Sequence, residues 1–204
     1  MKGRLVYFDR WTDPVANQVL ARRPEIEVVR LELTGDAREN QEQLGRAHGY
    51  QSLTRSEAVT YRGNGERWLP GAELIARCPS LLAVCSTGAG YDVIDVEACT
   101  RAGVIVCNNS GPGAEAVAEH ALGFMLALSK KIALADRLIR RARIADRSAL
   151  MGSELRGKTL GIVGMGQIGT RLAELCDSAF EMTVLAHDPY LGAEQVAVRG
   201  GEKV

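Results

Sequence analysis

The sequence predicts an α/β protein built on parallel sheets with helices on both faces. Short apolar runs of strand length alternate with helical patterns along the chain, and a glycine-rich turn follows one of the later runs. Parallel strands need long crossover connections and are covered on both faces, so they appear as apolar runs separated by helices. The composition agrees, because 46% hydrophobic and 25% charged residues among 204 are ordinary for a globular protein.

The first half of the chain supplies the elements of one sheet. The predicted strands are 4–8, 26–31, 81–85 and 104–107, with a weaker strand at 50–53. The predicted helices between them are 14–22, 36–47, 71–77 and 96–101. Residues 60–70 contain two glycines and end in proline, which indicates a loop or an irregular connection.

A long helix at 114–129 begins the second half of the chain. It follows a Gly-Pro-Gly break at 111–113, and its own second half is apolar on all sides. A helix without a polar face is expected to be buried between two bodies. We therefore predict a domain junction or a dimer contact here. An arginine-rich amphipathic helix follows from about 132 to 144.

The run Gly164-Met165-Gly166-Gln167-Ile168-Gly169 lies between an apolar strand pattern and an amphipathic helix pattern. A sharp strand-to-helix turn that approaches a diphosphate needs glycine: Gly164 for the tight turn, Gly166 for the phosphates and Gly169 for close packing of the helix on its strand. The helix N-terminus, at Gln167 and Ile168, offers free N–H groups to an anion. These flanks make the run a Rossmann fingerprint.

Asp188 follows a second apolar strand, 182–187, and lies nineteen positions beyond Gly169. An acid at this distance accepts hydrogen bonds from the adenosine ribose and repels a 2′-phosphate, so the sequence predicts NAD as the cofactor. Neither Pro189 nor Tyr190 offers a basic partner for NADP. The alternative is that Asp188 only opens an Asp-Pro turn and that the glycines only make a tight loop.

Charge and cysteine usage exclude several other classes of protein. The formal net charge is zero, so no global field recruits nucleic acid or an anionic membrane surface. No apolar run reaches the roughly 20 residues of a membrane helix, and the N-terminus lacks a signal-peptide pattern. The five cysteines are scattered without zinc-ligand spacing. We therefore expect buried free thiols, no metal site and a cytoplasmic location.

Three further stretches carry a resemblance to a known family. Residues 86–95 read STGAGYDVID, residues 118–121 read AEHA and residues 155–164 read LRGKTLGIVG. Together with the glycine-rich turn, they resemble the D-isomer-specific 2-hydroxyacid dehydrogenases, the family that includes D-3-phosphoglycerate dehydrogenase. The resemblance extends from about residue 81 to 190, and the first eighty residues match in architecture only.

The resemblance implies two domains and a reaction. A flavodoxin-like substrate domain would occupy 1–110, and the first part of a doubly wound Rossmann NAD-binding domain would occupy 111–204, entered by the crossing helix at 114–129. The family interconverts 2-hydroxy and 2-keto acids by hydride transfer, and we expect this protein to be a homodimer when complete. The substrate carboxylate would be held by the loop Thr87, Gly88, Ala89 and Gly90.

Neighbouring residues support or depart from this pattern. Asp92 and Asp95 match an acidic pair of the family, and we interpret them as turn and N-cap residues that support the loop. Phosphoglycerate-oxidising relatives can place an arginine after the third strand to meet the phosphate. This sequence has Leu53 there, with Arg55 two places further on.

The family's histidine base, its paired acid and its substrate-binding arginine lie beyond the third strand of the nucleotide domain, where this sequence ends. We therefore expect no catalytic residue within the chain and assign none of its histidines, His48, His120 and His187, to proton transfer. The chain is expected to be the front part of a longer dehydrogenase, doubtfully active alone. Alternatives are an NAD(H)-sensing interaction protein of the corepressor type, an inactive remnant and a formate dehydrogenase-like enzyme.

Overall fold

A computed structural model describes residues 2–9, 11, 14–60, 65–141 and 146–204. The chain divides into two compact units, Met1–Ser110 and Gly111–Val204. Each unit contains one sheet in which all paired strands are parallel. The α/β class predicted from the alternation of apolar runs and helices is therefore confirmed.

The first sheet has five strands in the order β2-β1-β3-β4-β5. The strands are β1 (Gly3–Phe8), β2 (Ile26–Leu31), β3 (Gly49–Gln51), β4 (Ala83–Cys85) and β5 (Ile105–Cys107). This is the flavodoxin-like order of a doubly wound sheet. Because the strands are parallel, the residues that follow β1, β3, β4 and β5 meet at one edge. That carboxyl edge is where ligands bind in open α/β sheets.

In the described residues these strands are connected by the α-helices α1 (Val15–Ala21), α2 (Ala37–Gly45), α3 (Arg55–Thr60), α4 (Ala72–Ala76) and α5 (Val96–Ala102). Asp95 begins α5 as predicted, since its carboxylate accepts the amide of Ala98 at 2.8 Å. The short helix α3 was not predicted. Its start is fixed by a capping box, in which Thr54 and Glu57 bond each other's backbone amides at 3.2 and 2.8 Å.

The predicted irregular connection at 60–70 was only partly correct. Residues Glu66–Trp68 form a 3-10 turn, and the indole of Trp68 is buried in the core. Residues 61–64 lie outside the described part of the chain. Tyr50 is the largest completely buried side chain of this core, and its hydroxyl donates a hydrogen bond of 2.7 Å to the carbonyl of Trp68. Burial raises the pKa of the Tyr50 phenol far above its usual value.

Tyr50→Phe should therefore lower the free energy of unfolding of the first unit by about 1–3 kcal/mol, because it leaves a buried carbonyl without its donor. The half-exposed Tyr91 serves as the control, and Tyr91→Phe should change stability by less than about 0.5 kcal/mol. Both tryptophans, Trp11 and Trp68, lie in this unit, so tryptophan fluorescence during urea unfolding reports on it alone. Equal midpoints for the two variants would contradict the assigned bond.

The second sheet has three strands in the order β6-β7-β8: β6 (Thr159–Val163), β7 (Thr183–His187) and β8 (Glu202–Lys203). Its helices are α6 (Ala114–Ser129), α7 (Ile132–Arg140), α8 (Gln167–Phe180) and α9 (Ala193–Val198). The predicted end of the arginine-rich helix falls partly on residues 142–145, which lie outside the described residues. Within the described residues, β6 pairs with β7 alone.

A small core joins this sheet to its helices. Ile162 of β6, Val184 of β7 and Ala173 of α8 are buried together, with Met165 and Val196 completing the cluster. The buried residues of α8 recur at helical spacing, as the amphipathic pattern predicts. The core therefore fixes the start of α8 against the end of β6, which is where the glycine-rich turn lies.

Helix α6 is partly exposed in the single chain, and the domain junction or dimer contact predicted there stays a prediction. Ala118 is its one buried residue, whereas Phe124 is 60% exposed and Leu128 is 79% exposed. An apolar composition indicates that a helix packs against another body, but it does not identify that body.

The cysteine and membrane predictions have mixed outcomes. All five cysteines are free; Cys78, Cys99 and Cys176 are buried, in agreement with the prediction of buried thiols, whereas Cys85 is half-buried and Cys107 is exposed. Cys85 and Cys107 lie opposite each other on the neighbouring strands β4 and β5. Of the helices in the described residues, none has both the length and the apolarity to cross a membrane.

Candidate functional site

The turn between β6 and α8 has the geometry that its glycines predict. Gly164 adopts φ +93°, a left-handed conformation that residues with a side chain rarely adopt. Its amide donates to the carbonyl of His187 at 2.8 Å, which joins the turn to the end of β7. The chain therefore turns sharply directly after the strand.

The other two glycines of the turn are required for opposite reasons. A Cβ on Gly169 would lie 2.2 Å from the carbonyl oxygen of Gly164 and 3.2 Å from Cγ2 of Ile162. Helix α8 therefore packs so close to the end of β6 that only glycine fits at this position. A Cβ on Gly166 would meet no atom of the described residues within 4 Å. The space beside Gly166 is open, which is what a bound phosphate group would need.

No side chain of the described residues caps the N-terminus of α8. Gly166 is the N-cap residue, and its carbonyl accepts the amide of Thr170 at 2.9 Å as the helix begins. The preceding amides, including those of Gln167 and Ile168, belong to the first turn, where a helix has no internal acceptors. Those groups and the helix dipole favour an anion at this end of α8.

Asp188 is drawn into the turn by backbone hydrogen bonds. One carboxylate oxygen accepts the amide of Met165 at 2.9 Å, and the other accepts the amide of Tyr190 at 2.9 Å. The amides of Tyr190 and Met165 hold the pKa of this carboxyl below its usual value, because they stabilise the ionised form. The residue is only 8% exposed. An ionised acid is therefore fixed directly beside the glycine turn.

Arg199, at the end of α9, is a residue of this site that the sequence did not reveal. Its guanidinium donates to the carbonyl of Met165, and its charge further lowers the pKa of Asp188. Nothing in the local sequence indicates this contact, since it depends on how α9 packs against the turn. The structure thus brings the six predicted cofactor residues together and adds a cation behind them.

The loop 87–90 follows β4 at the carboxyl edge of the first sheet, and its carbonyl groups are occupied. The carbonyl of Gly88 accepts the Ser86 hydroxyl and, at 3.0 Å, the Asn109 amide. The carbonyl of Ala89 accepts the Asn108 side chain at 2.8 Å. In a trans peptide the next N–H points opposite the carbonyl, so the following amides point away from these partners.

The amides of Gly88, Ala89 and Gly90 donate to no acceptor within the part of the chain that the structure describes. The Thr87 hydroxyl is held by the Gln51 amide at 3.1 Å and by the carbonyl of Ser52 at 3.3 Å. Successive free amides on a fixed loop form an anion-binding concavity. The two asparagines and Gln51 were not predicted, although each lies just after a strand or at its end.

A cavity of about 310 Å³ adjoins this loop within the first unit. Its described lining comprises Tyr7, Phe8, Trp11, Val15, Ala16, Gln51, Ser52, Leu53, Glu57, Ser86, Thr87 and Asn109. Leu53 is buried against the cavity and the core. Arg55 lies outside this lining, and its exposed guanidinium is 3.4 Å from the Asp92 carboxylate.

The three histidines have structural contacts or exposed positions. Nδ1 of His48 accepts the amide of Arg4 at 3.0 Å, and His120 packs edge-on against Phe124 with ring centroids 4.3 Å apart. His187 is exposed at the end of β7. Among the residues that the structure describes, no cluster of three or more His, Cys, Asp and Glu could hold a metal ion.

Comparison with known families identifies the segment that contains the glycine turn. Residues 122–204 match the family described as "D-isomer specific 2-hydroxyacid dehydrogenase, NAD binding domain". A D-3-phosphoglycerate dehydrogenase of Archaeoglobus fulgidus is 41% identical over 159 residues, which is 76% of this chain and 29% of that protein. A glyoxylate reductase of Aeropyrum pernix is 41% identical over 121 residues, 56% of this chain and 36% of that protein.

Solved structures share the fold at low sequence identity. D-lactate dehydrogenase of Aquifex aeolicus, solved with NAD and lactic acid, has a TM-score of 0.74 at 21% identity and covers 98% of this chain and 55% of its own. D-mandelate dehydrogenase of Rhodotorula graminis has a TM-score of 0.74 at 23% identity, with 100% and 61% covered. The chain thus spans less than a third of the first curated relative and little more than half of these structures.

Proposed function

This chain belongs to the family of D-isomer-specific 2-hydroxyacid dehydrogenases, and we propose that it serves the NAD-dependent interconversion of a D-2-hydroxy acid and its 2-keto acid. The observation that carries the proposal is the turn Gly164–Gly169 with the ionised Asp188 hydrogen-bonded to it at Met165. This turn lies inside the segment that matches the family's NAD-binding domain.

The residues of the turn fit NAD. The open space at Gly166 and the uncapped start of α8 suit the diphosphate, with Gly164, Gln167, Ile168 and Gly169 shaping that cradle. Asp188 uses its remaining acceptor capacity for the adenosine ribose hydroxyls. When bound, NAD supplies the nicotinamide carbon that accepts or returns the hydride.

We propose that the loop 87–90 of the first unit binds the substrate carboxylate. The amides of Gly88, Ala89 and Gly90 bind the anion, and Thr87 is held in place by Gln51 and Ser52. We accordingly assign residues 1–110 to the substrate and 111–204 to the cofactor. None of the three histidines is assigned to proton transfer.

Two features support proposals about the oligomeric state and the cellular location of the protein. The exposed apolar side chains of α6, including Phe124 and Leu128, support a homodimer that covers them. The five free cysteines support a cytoplasmic location, where thiols stay reduced.

Asp188→Asn should reduce the preference for NADH over NADPH by roughly tenfold to 100-fold, because it removes a negative charge beside the position of the 2′-phosphate. Asparagine keeps one of the two oxygens that accept the amides of Met165 and Tyr190, so the variant loses one of these hydrogen bonds, and circular dichroism checks that the second unit stays folded. Titration of the chain with each dinucleotide, followed by fluorescence, measures the ratio.

The matched control is Asp177→Asn, since Asp177 is an exposed acid near the far end of α8. Asp177→Asn should leave the ratio of the affinities for NADH and NADPH unchanged. If Asp188→Asn behaves like this control, Asp188 does not select the cofactor.

A further inference from the structure

The cavity beside the substrate loop has a composition that restricts the acid it accepts. We propose that it holds the side chain of the 2-keto or 2-hydroxy acid, and that it favours an uncharged apolar side chain, aromatic or branched aliphatic, over an acidic one. This inference rests on the proposed function, because it takes the loop 87–90 as the seat of the substrate carboxylate.

The cavity and the loop share residues, so the cavity lies next to the proposed site of the substrate carboxylate. Thr87 begins the loop and also lines the cavity, and Asn109, which bonds the carbonyl of Gly88, lines it too. In this proposal an acid whose carboxylate is bound by the amides after Thr87 extends its remaining atoms toward the cavity. The volume of about 310 Å³ is at the lower end of ligand pockets, which hold roughly 300–1,000 Å³. That space suits one small side chain.

One part of the cavity wall is aromatic and aliphatic. The rings of Tyr7 and Trp11 stack with centroids 4.0 Å apart, and Phe8 and Leu53 add apolar surface next to them. Burying an apolar side chain against such a wall is favourable in proportion to the area removed from water. A phenyl ring or a branched alkyl group therefore gains more here than a polar one.

The charge of the wall comes from a single carboxylate. Among the described residues that line the cavity, Glu57 is the only charged one, and no lysine or arginine lines it. One oxygen of Glu57 accepts both the amide and the hydroxyl of Thr54 at 2.8 Å, which holds the side chain at the start of α3. An acidic substrate side chain would meet this like charge, and the described lining offers no cation to balance it.

The test is a titration of the chain with 2-keto acids that share one head group. Pyruvate has the smallest side chain, 4-methyl-2-oxopentanoate and phenylpyruvate carry apolar side chains, and 2-oxoglutarate and 3-phosphohydroxypyruvate carry anionic ones. Nuclear magnetic resonance of the backbone amides gives each affinity and shows whether the loop 87–90 is the site. We expect both apolar acids to bind roughly tenfold or more tightly than both anionic acids.

Glu57→Gln should reduce this difference in affinity between the apolar and the anionic acids, chiefly by strengthening the binding of the anionic acids. Glutamine also occupies the third position of a capping box, so α3 should keep its start. Tryptophan fluorescence during unfolding checks that the first unit remains stable. The matched control is Glu73→Gln, since the exposed Glu73 lies on α4 outside the cavity, and it should leave the difference in affinity unchanged.

The outcomes separate this inference from the proposed function. If all five acids shift the loop amides but the anionic ones bind as tightly as the apolar ones, the selectivity is wrong and the carboxylate seat remains. If a folded Glu57→Gln variant keeps the same difference in affinity between apolar and anionic acids, Glu57 does not cause the selectivity, and the argument from its charge is overturned. If no acid, pyruvate included, shifts the loop amides, the carboxylate seat fails and the inference fails with it.

Discussion

Gly166→Ala should abolish most of the dinucleotide affinity of the chain while leaving the second unit folded. The backbone of Gly166, with φ −76°, is open to any residue, and an added Cβ meets no described atom within 4 Å. In the complex, that Cβ would occupy space that we assign to the diphosphate. Forcing a methyl group into a packed contact costs about 1–3 kcal/mol, which corresponds to a loss of about 5- to 150-fold in affinity.

Calorimetric titration with NADH measures this loss, and circular dichroism checks the fold. The matched control is Gly123→Ala in α6, where a Cβ also meets nothing within 4 Å. That variant should bind NADH like the unmodified chain. Equal affinity in Gly166→Ala and Gly123→Ala would exclude the phosphate position beside Gly166.

Gly169→Ala should have the largest effect on stability among these substitutions. The new Cβ would lie 2.2 Å from the carbonyl oxygen and 3.3 Å from the carbonyl carbon of Gly164, and both are backbone atoms. Helix α8 would have to move away from β6, which would separate Ile162 from Ala173 in the core of the second unit. Because overpacking costs up to about 3 kcal/mol and a backbone clash more, we expect a loss of about 3 kcal/mol or more.

The second unit contains no tryptophan, so amide hydrogen exchange resolved by residue is the suitable measurement. Protection should fall in β6, β7 and α8 and stay unchanged in the first sheet. Gly123→Ala again serves as the control, and its effect should be a slight gain from helix propensity. Native protection of α8 in Gly169→Ala would contradict the close crossing of helix and strand.

The glycine turn could be predicted in detail because its requirements are local. A left-handed residue, a close helix crossing and an open phosphate position each exclude a side chain at a fixed place in the sequence. The structure shows Gly164 at φ +93° and Gly169 at contact distance from the turn backbone. The alternation of apolar runs likewise predicted the parallel sheets, although single strands such as β4 begin two residues later than expected.

Contacts between distant parts of the chain could not be predicted in this way. The position of Arg199 behind Met165 depends on the packing of α9, and the cavity wall combines residues from several strand ends. The helix α3 is a different case, since the sequence contains the Thr54 and Glu57 spacing of a capping box, a local signal that indicates this helix start.

The exposure of α6 shows the limit of composition as a guide. Its apolar second half indicates that cover is required, and the single chain leaves Phe124 and Leu128 exposed. The sequence pattern of one chain identifies such a surface but carries no information on the body that covers it.

The most direct measurement is a residue-resolved amide titration of the chain with NADH. If the turn holds the diphosphate and Asp188 holds the ribose, the amides of Gly164–Gly169 and of Asp188 should shift together and saturate at one concentration. Saturable binding that shifts other amides and leaves this turn unchanged would contradict the assignment, and so would the absence of any saturable binding.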